Sequence, residues 1–229
     1  MIRLDKFVAE SLAVSRTIAK QRILKGRIKL NGEAHTNPAR QLSESDCVSY
    51  QGEELERPGQ RYYLLNKPVG YLCSAKDEEY PSALNLLPDS AKQALHFAGR
   101  LDQDTTGLVL VTDDGKWSHR VTSPRKNCPK TYRVGLDTEI DDAALKQLTE
   151  GVLLHGETKP TEPAQVVIVN SRELLLTISE GRYHQVKRMI AAVGNRVVRL
   201  HRESVGSLCL GTLEVGQWRE LSVEEIAQF

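Results

Sequence analysis

Residues 108–111, Leu-Val-Leu-Val, form an uninterrupted apolar run set between Gly-Arg-Leu-Asp-Gln-Asp-Thr-Thr-Gly (99–107) and Thr-Asp-Asp-Gly (112–115). The run has the length and β-branched content of a buried strand. Such a strand must lie inside a sheet, so the chain has to supply partners for it. The residues ahead of the run are too polar for a core: two carboxylates (Asp102 and Asp104), two hydroxyls and two glycines. A carboxylate at the mouth of a buried strand is one way to present a reactive group on a rigid support. A capped loop, in which the aspartates accept backbone N–H bonds, accounts for the same residues. Spacing alone does not choose between the two.

Other strand patterns follow at Tyr62–Leu65, Thr131–Leu136, Val166–Val169, Leu174–Ile178 and Arg196–Leu200, whereas helical patterns are confined mainly to Asp141–Leu148 and His184–Val193. Ser222 and Glu225 have the spacing of a capping box for a short final helix. Strands come in hairpin-like sets rather than in strict β-α-β alternation. An α+β domain with a mixed, largely antiparallel sheet is expected.

The first 50 residues read differently. Leu4, Phe7, Val8 and Leu12 fall on one helical face. Ser15 is placed to cap a second helix whose Ile18, Ala19 and Ile23 can face the first, and Gly26 ends it. Arg27-Ile28-Lys29-Leu30 then alternates into Asn31-Gly32, a strong hairpin signal. Residues 51–60 contain one large apolar residue and a Pro-Gly pair, and read as a linker. The expected division is 1–58 for the small N-terminal domain with its linker, and 59–229 for the main domain.

The 31 Lys and Arg residues nearly balance the 30 Asp and Glu residues, for a net charge of +1. The average hides a segregation. Windows 16–29, 116–133 and 181–202 each hold six basic residues and no acid. This pattern suits a polyanion track, and RNA in particular. Arg16, Arg22, Lys25 and Arg27 are the candidate phosphate contacts of the first window. Cys47, Cys73, Cys128 and Cys209 are scattered without a CxxC pair and read as reduced thiols. No apolar stretch approaches the roughly 18 residues of a membrane span, and the N-terminus has no signal-peptide pattern, so a soluble cytoplasmic protein is expected. The chain has no GxGxxG fingerprint, no P-loop and no His/Cys cluster, consistent with chemistry that needs neither cofactor nor metal.

Four segments occur in a recognisable order: Asn66-Lys67-Pro68-Val69-Gly70, the 99–115 string, Lys130-Thr131-Tyr132, and Glu180-Gly181-Arg182-Tyr183-His184-Gln185-Val186-Lys187-Arg188-Met189. Together they resemble the pseudouridine synthases that modify ribosomal RNA, in the small-subunit branch of that superfamily. The two helices and basic hairpin resemble an S4-type RNA-binding fold over about residues 1–50. The resemblance implies a long bent sheet around a central cleft, an isomerase acting on a uridine of 16S ribosomal RNA (uridine 516) or a small-subunit assembly intermediate, and no cofactor. A monomer without membrane association is expected. By the same resemblance Asp102 is the essential aspartate and candidate nucleophile. Lys187 is the cation that keeps it ionised, and Tyr132 is the ring that stacks on a flipped base. Asp104 is expected to structure the loop through backbone or Arg100 hydrogen bonds. Arg100, Arg182 and Arg188 are expected to contact RNA. Val198 and Leu200 are placed to wall the pocket, although their apolar strand pattern is explained equally by packing alone.

Two other readings are open to the residues themselves. A metal-dependent phosphoryl-transfer enzyme would use Asp102, Asp104, Asp113 and Asp114. The intervening strand, however, puts the two pairs about 25–30 Å apart. A non-catalytic RNA-binding module would need only the basic windows, and gains nothing from a carboxylate that repels phosphate.

Overall fold

The computed structural model describes residues 2–43, 45–56, 59–88, 95–123 and 126–229. The described residues cluster into two compact units. One runs to Gln60 and includes Pro88; the other comprises Arg61–Leu87 and Leu95–Phe229.

The first unit opens with β1 (Ile2–Arg3), α1 (Leu4–Ser11) and α2 (Arg16–Leu24). Leu4, Val8 and Ala9 of α1 pack with Ala19 and Ile23 of α2. Ser15 caps α2, its hydroxyl accepting the Ile18 amide at 3.3 Å. Ile18 itself is 42% exposed rather than packed, because it sits one residue, about 100° of helix, away from the buried Ala19. Strands β2 (Ile28–Leu30), β3 (Glu33–Ala34), β4 (Gln41–Leu42), β5 (Val48–Tyr50) and β6 (Glu53–Glu54) follow. They form a four-stranded sheet in the order β3-β2-β5-β6, while β4 pairs with β1. The β2–β3 turn places Asn31 and Gly32 at φ 52° and 88°, the doubly positive backbone that an Asn-Gly hairpin requires.

The expected linker is shorter than its composition suggested. Gln51 and Gly52, at φ 55° and 92°, make a second hairpin turn, so that Glu53 and Glu54 pair with Tyr50 and Ser49. Leu55 then packs against the core of the unit. An exposed edge strand needs no apolar residues, so a two-glutamate strand resembles a linker in composition. Arg57 and Pro58 lie outside the described residues.

Asp5 is fully buried at the start of α1. Arg3 binds both its oxygens, at 3.1 and 2.9 Å, and Arg16 reaches it at 2.8 Å. The Arg3 hydrogen bond outweighs burial and, helped by Arg16, draws the Asp5 carboxyl down to about 2.

The second unit is built on a nine-stranded sheet: β7 (Tyr62–Lys67), β8 (His96–Ala98), β9 (Thr106–Thr112), β10 (Lys130–Leu136), β11 (Gln165–Asn170), β12 (Glu173–Ile178), β13 (Val197–Val205), β14 (Leu208–Cys209) and β15 (Trp218–Glu220). The order is β11-β12-β10-β13-β9-β7-β15, with β8 on β9 and β14 on β13. All of these pairings are antiparallel except β9 with β13, which run parallel through His201 opposite Thr106 and Arg202 opposite Gly107. The sheet is therefore mixed and largely antiparallel. Its helices are α3 (Gly115–Thr122), α4 (Asp142–Glu150), α5 (Gln185–Ala192) and α6 (Val223–Ile226). Ser222 and Glu225 form the expected capping box on α6.

The β9–β13 seam separates two cores. One gathers Val134, Leu148, Leu174, Leu176, Met189 and Ile190 under α4 and α5. The other gathers Leu64, Leu108, Leu110, Trp117 and Val205 under α3. Leu108, Val109, Leu110 and Val111 are all fully buried, as their unbroken apolar run predicts. At the far end of β9, Asp114 caps α3 by accepting the Lys116 and Trp117 amides, and Asp113 pairs with Arg61 at 2.9 Å. The pairs Asp102/Asp104 and Asp113/Asp114 thus stand at opposite ends of the strand, and no four-carboxylate metal cluster assembles. Among the described residues no group of three or more His, Cys, Asp or Glu side chains could hold a metal. No helix of these residues is long and apolar enough to cross a membrane.

Candidate active site

The loop that enters β9 is anchored from beneath. Lys67, the last residue of β7, is fully buried. Its ammonium donates to the carbonyls of Pro68 at 2.9 Å, Thr105 at 2.8 Å and Gln103 at 3.4 Å. Burial lowers its pKa, and the ring of carbonyl dipoles supplies the solvation that water would otherwise give. The Gly70 amide adds a bond to the Gln103 carbonyl at 3.0 Å, and the Thr105 amide bonds the Asp102 carbonyl at 3.1 Å. Lys67 and Gly70 therefore stitch the Asn66–Gly70 motif to the aspartate loop. Sequence reasoning had quoted Lys67 without a role.

A cavity of about 640 Å³ opens beside this loop, within the range of small-ligand sites. Arg100, Asp102, Tyr132, Arg182, Lys187, Leu200 and Arg202 contribute to its walls. The Lys187 ammonium, projecting from α5, lies 2.8 Å from Asp102 Oδ2 and 2.6 Å from Asp104 Oδ1. Burial alone would pull the ammonium's pKa down, but its bonds to Asp102 and Asp104 prevail and raise it. Burial likewise works against the charged form of Asp104, yet Lys187 holds that carboxyl below its ordinary value. Asp104 is therefore paired by Lys187 rather than by Arg100, which the sequence had offered.

His184 completes the coordination of Asp102, with Nε2 3.2 Å from Oδ1. It is a non-glycine residue in left-handed backbone, φ 47° and ψ 35°, at the N-terminus of α5. Such backbone persists only where surrounding structure enforces it. Sequence reasoning missed His184, since nothing in its spacing reveals the kink. It also missed Arg202, a residue of the third basic window that is 3% exposed. Arg202 Nε donates to the Leu108 carbonyl at 2.7 Å, and Nη1 lies 3.4 Å from the Tyr132 hydroxyl. Its guanidinium stands 5.9 Å from the Tyr132 ring centre. Arg202 Nη2 is buried without a hydrogen-bond partner.

Asp102, Tyr132 and Lys187 thus share one cavity. Arg100 reaches the same cavity, and its side chain is exposed. Arg182 and Arg188 differ from expectation. Arg182 binds Glu157, Glu180 and the carbonyls of Lys159 and Pro160. Arg188 binds Glu157 and the carbonyls of Tyr183 and His155. Most of their donors are engaged, largely in holding the 155–160 segment against the start of α5. Leu200 walls the cavity, whereas Val198 is not among its lining residues and is 59% exposed. In the first unit, Arg16 serves as counter-ion to buried Asp5, and the Arg22 guanidinium lies over the Tyr50 ring at 5.0 Å. Lys25 and Arg27 are exposed. Arg125, counted in the second basic window, lies outside the described residues.

The RNA pseudouridylate synthase family model matches residues 61–192, which include Asp102, Tyr132 and Lys187. The chain belongs to the RNA pseudouridylate synthase family. Residues 2–48 match the S4 domain, in agreement with the helix pair and hairpins of the first unit. The chain is 50% identical over 228 residues to ribosomal small subunit pseudouridine synthase A of Salmonella typhimurium, covering 99% of both chains. The protein of that name from Escherichia coli matches equally, at 50% over 228 residues. That from Vibrio cholerae is 48% identical, over 99% of this chain and 98% of its own. A solved structure described as a pseudouridylate synthase superimposes with a TM-score of 0.72 at 44% identity, covering 99% of each chain. The likeness to these relatives, and to the solved fold, therefore runs along essentially the whole chain.

Proposed function

We propose that this synthase converts one uridine of 16S ribosomal RNA, uridine 516, to pseudouridine, and that Asp102 is its nucleophile. The observation that carries the chemical reading is the Asp102 carboxylate held between Lys187 and His184 inside the cavity. The substrate reading rests on full-length likeness to relatives named for the small ribosomal subunit. The reaction breaks the bond between C1′ and N1, turns the uracil, and joins C1′ to C5. N1 gains the proton that C5 gives up, so the atoms balance with no redox step. A carboxylate nucleophile divides this conversion into two easier steps through a covalent intermediate. Tyr132 supplies a ring for the extruded uracil, and Lys187 places a positive charge 2.8 Å from the Asp102 carboxylate. Pseudouridine mapping of 16S RNA from cells with and without the gene tests this directly. One modified position should disappear, and an unchanged map would refute the substrate assignment.

Lys187→Met should slow single-turnover conversion by about 10- to 100-fold, the value of a hydrogen bond to a charged group. Binding of short RNA should change far less, because the ammonium faces two carboxylates rather than a phosphate. A variant that loses affinity and salt dependence at an unchanged rate would place Lys187 on the phosphate track instead.

For the S4 domain we propose that Arg22, Lys25 and Arg27 contact RNA phosphates, with Arg16 reserved for Asp5. Replacing all three by Ala should reduce the slope of log K against log salt by about 2, at roughly 0.7–0.9 per lost contact. Binding titrations between low and physiological salt measure it. An unaltered slope would assign these residues to the fold alone.

A further inference from the structure

Tyr183 is 74% exposed, yet it belongs to the wall of the cavity. One face of its ring stacks on the His184 imidazole, at 3.8 Å between centroids and 22° between planes. That imidazole touches Asp102 at its edge. The left-handed backbone at His184 thus does two things together: it turns the imidazole toward Asp102 and sets Tyr183 at the rim. The second ring face is left to solvent. Support for His184 would be served as well by a ring buried against other side chains. Arg100, also at the cavity, is exposed and has no side-chain partner among the described residues. An open aromatic face with an unengaged cation beside the same opening is the pairing that single-stranded nucleic acid uses, base on ring and phosphate on cation.

We propose that Tyr183 is a stacking platform for the base of a nucleotide adjoining the target uridine, and that Arg100 takes the phosphate between the two. This inference rests on the proposed reaction at Asp102. The reacting uracil is not the partner of Tyr183, since the imidazole stands between that ring and Asp102. Tyr132 lies inside the cavity and serves the target base. Tyr183 serves its neighbour, so the enzyme grips two successive nucleotides and fixes which uridine enters.

The experiment is a double-mutant cycle between Tyr183 and RNA, using the full chain and a short 16S-derived oligonucleotide. Three RNAs are compared: unmodified, abasic one position 5′ of the target, and abasic one position 3′ of it. Wild-type protein should lose about 5- to 150-fold in affinity for one of the two abasic RNAs, the range for a single stacked base. Tyr183→Ala should bind the unmodified RNA that much more weakly and be indifferent to the same abasic site, while Tyr183→Phe should behave as wild type. Additive losses at both flanks would overturn the platform. Because Tyr183 is exposed, matching far-UV spectra and melting curves verify that the variants are folded. Pseudouridine formation by the wild type on the unmodified RNA is scored separately. Its absence would overturn the reaction assigned to Asp102, whereas turnover without flank coupling would overturn only the platform.

Discussion

Asp102→Asn should abolish pseudouridine formation, with a loss on the order of 1,000-fold or more in single-turnover rate, as expected when a nucleophile is removed. Asparagine keeps the shape of the side chain, and its single oxygen can still accept from Lys187, but it gives up the second acceptor at His184, the charge and the nucleophilic oxygen. The fold should survive the change. Lys187 retains Asp104 at 2.6 Å, so the substitution strands no buried ammonium. The loop itself is held by Lys67 and by the Thr105 amide bonded to the Asp102 carbonyl, neither of which involves the altered side chain. The melting temperature should stay within a few degrees of wild type. RNA affinity should be unchanged or slightly stronger, because one negative charge has left a surface that receives phosphates. Conversion of a stoichiometric RNA by the Asn variant at a measurable rate would show that the carboxylate is not the nucleophile.

Much of this arrangement was legible because it is local. The helix pair, the Asn31-Gly32 hairpin and the buried run 108–111 each follow from periodicity and turn chemistry within about a dozen residues. The Ser222 and Glu225 capping box does as well. The site is another matter. Asp102, Tyr132 and Lys187 are brought together by strand order: β10 and β13 lie side by side, β9 joins the other edge of β13, and α5 delivers Lys187 from the intervening segment. Residue spacing contains no trace of that order, and only the likeness to a family placed the three residues together. Arg182 shows the converse limit of a local reading. A basic residue in an acid-free window looked available for phosphate, but its partners Glu157 and Glu180 lie outside that window and reach it only in the folded chain. Arg202 and His184 were missed for one reason. Their significance depends on burial and backbone conformation, and neither has a sequence signature when a basic run surrounds it.

Gly107→Ala should strongly destabilise the catalytic unit. Gly107 ends the motif loop at φ 107°, where any side chain is strained. A Cβ there would lie 2.3 Å from the Arg202 carbonyl oxygen and 2.7 Å from the Arg202 nitrogen. Those atoms belong to the main chain of β13, so no rotamer change can make room. This is also the seam at which β9 and β13 pair in parallel, through only two residue pairs. Separating the strands would pull Arg202 away from the Leu108 carbonyl and the loop of Asp102 away from Lys187. Backbone strain and overpacking together amount to about 3–6 kcal/mol. That corresponds to a fall of roughly 6–24 °C in the melting temperature of a unit this size. Gly115→Ala is the control: it lies at the start of α3 with nothing within 4 Å of a new Cβ, and should be neutral or stabilising by about 0.5–1 kcal/mol. Thermal melts of the two variants alongside wild type decide the matter. If Gly107→Ala melts with wild type, the close approach of β9 to β13 does not constrain the site, and the glycine of the motif needs another explanation.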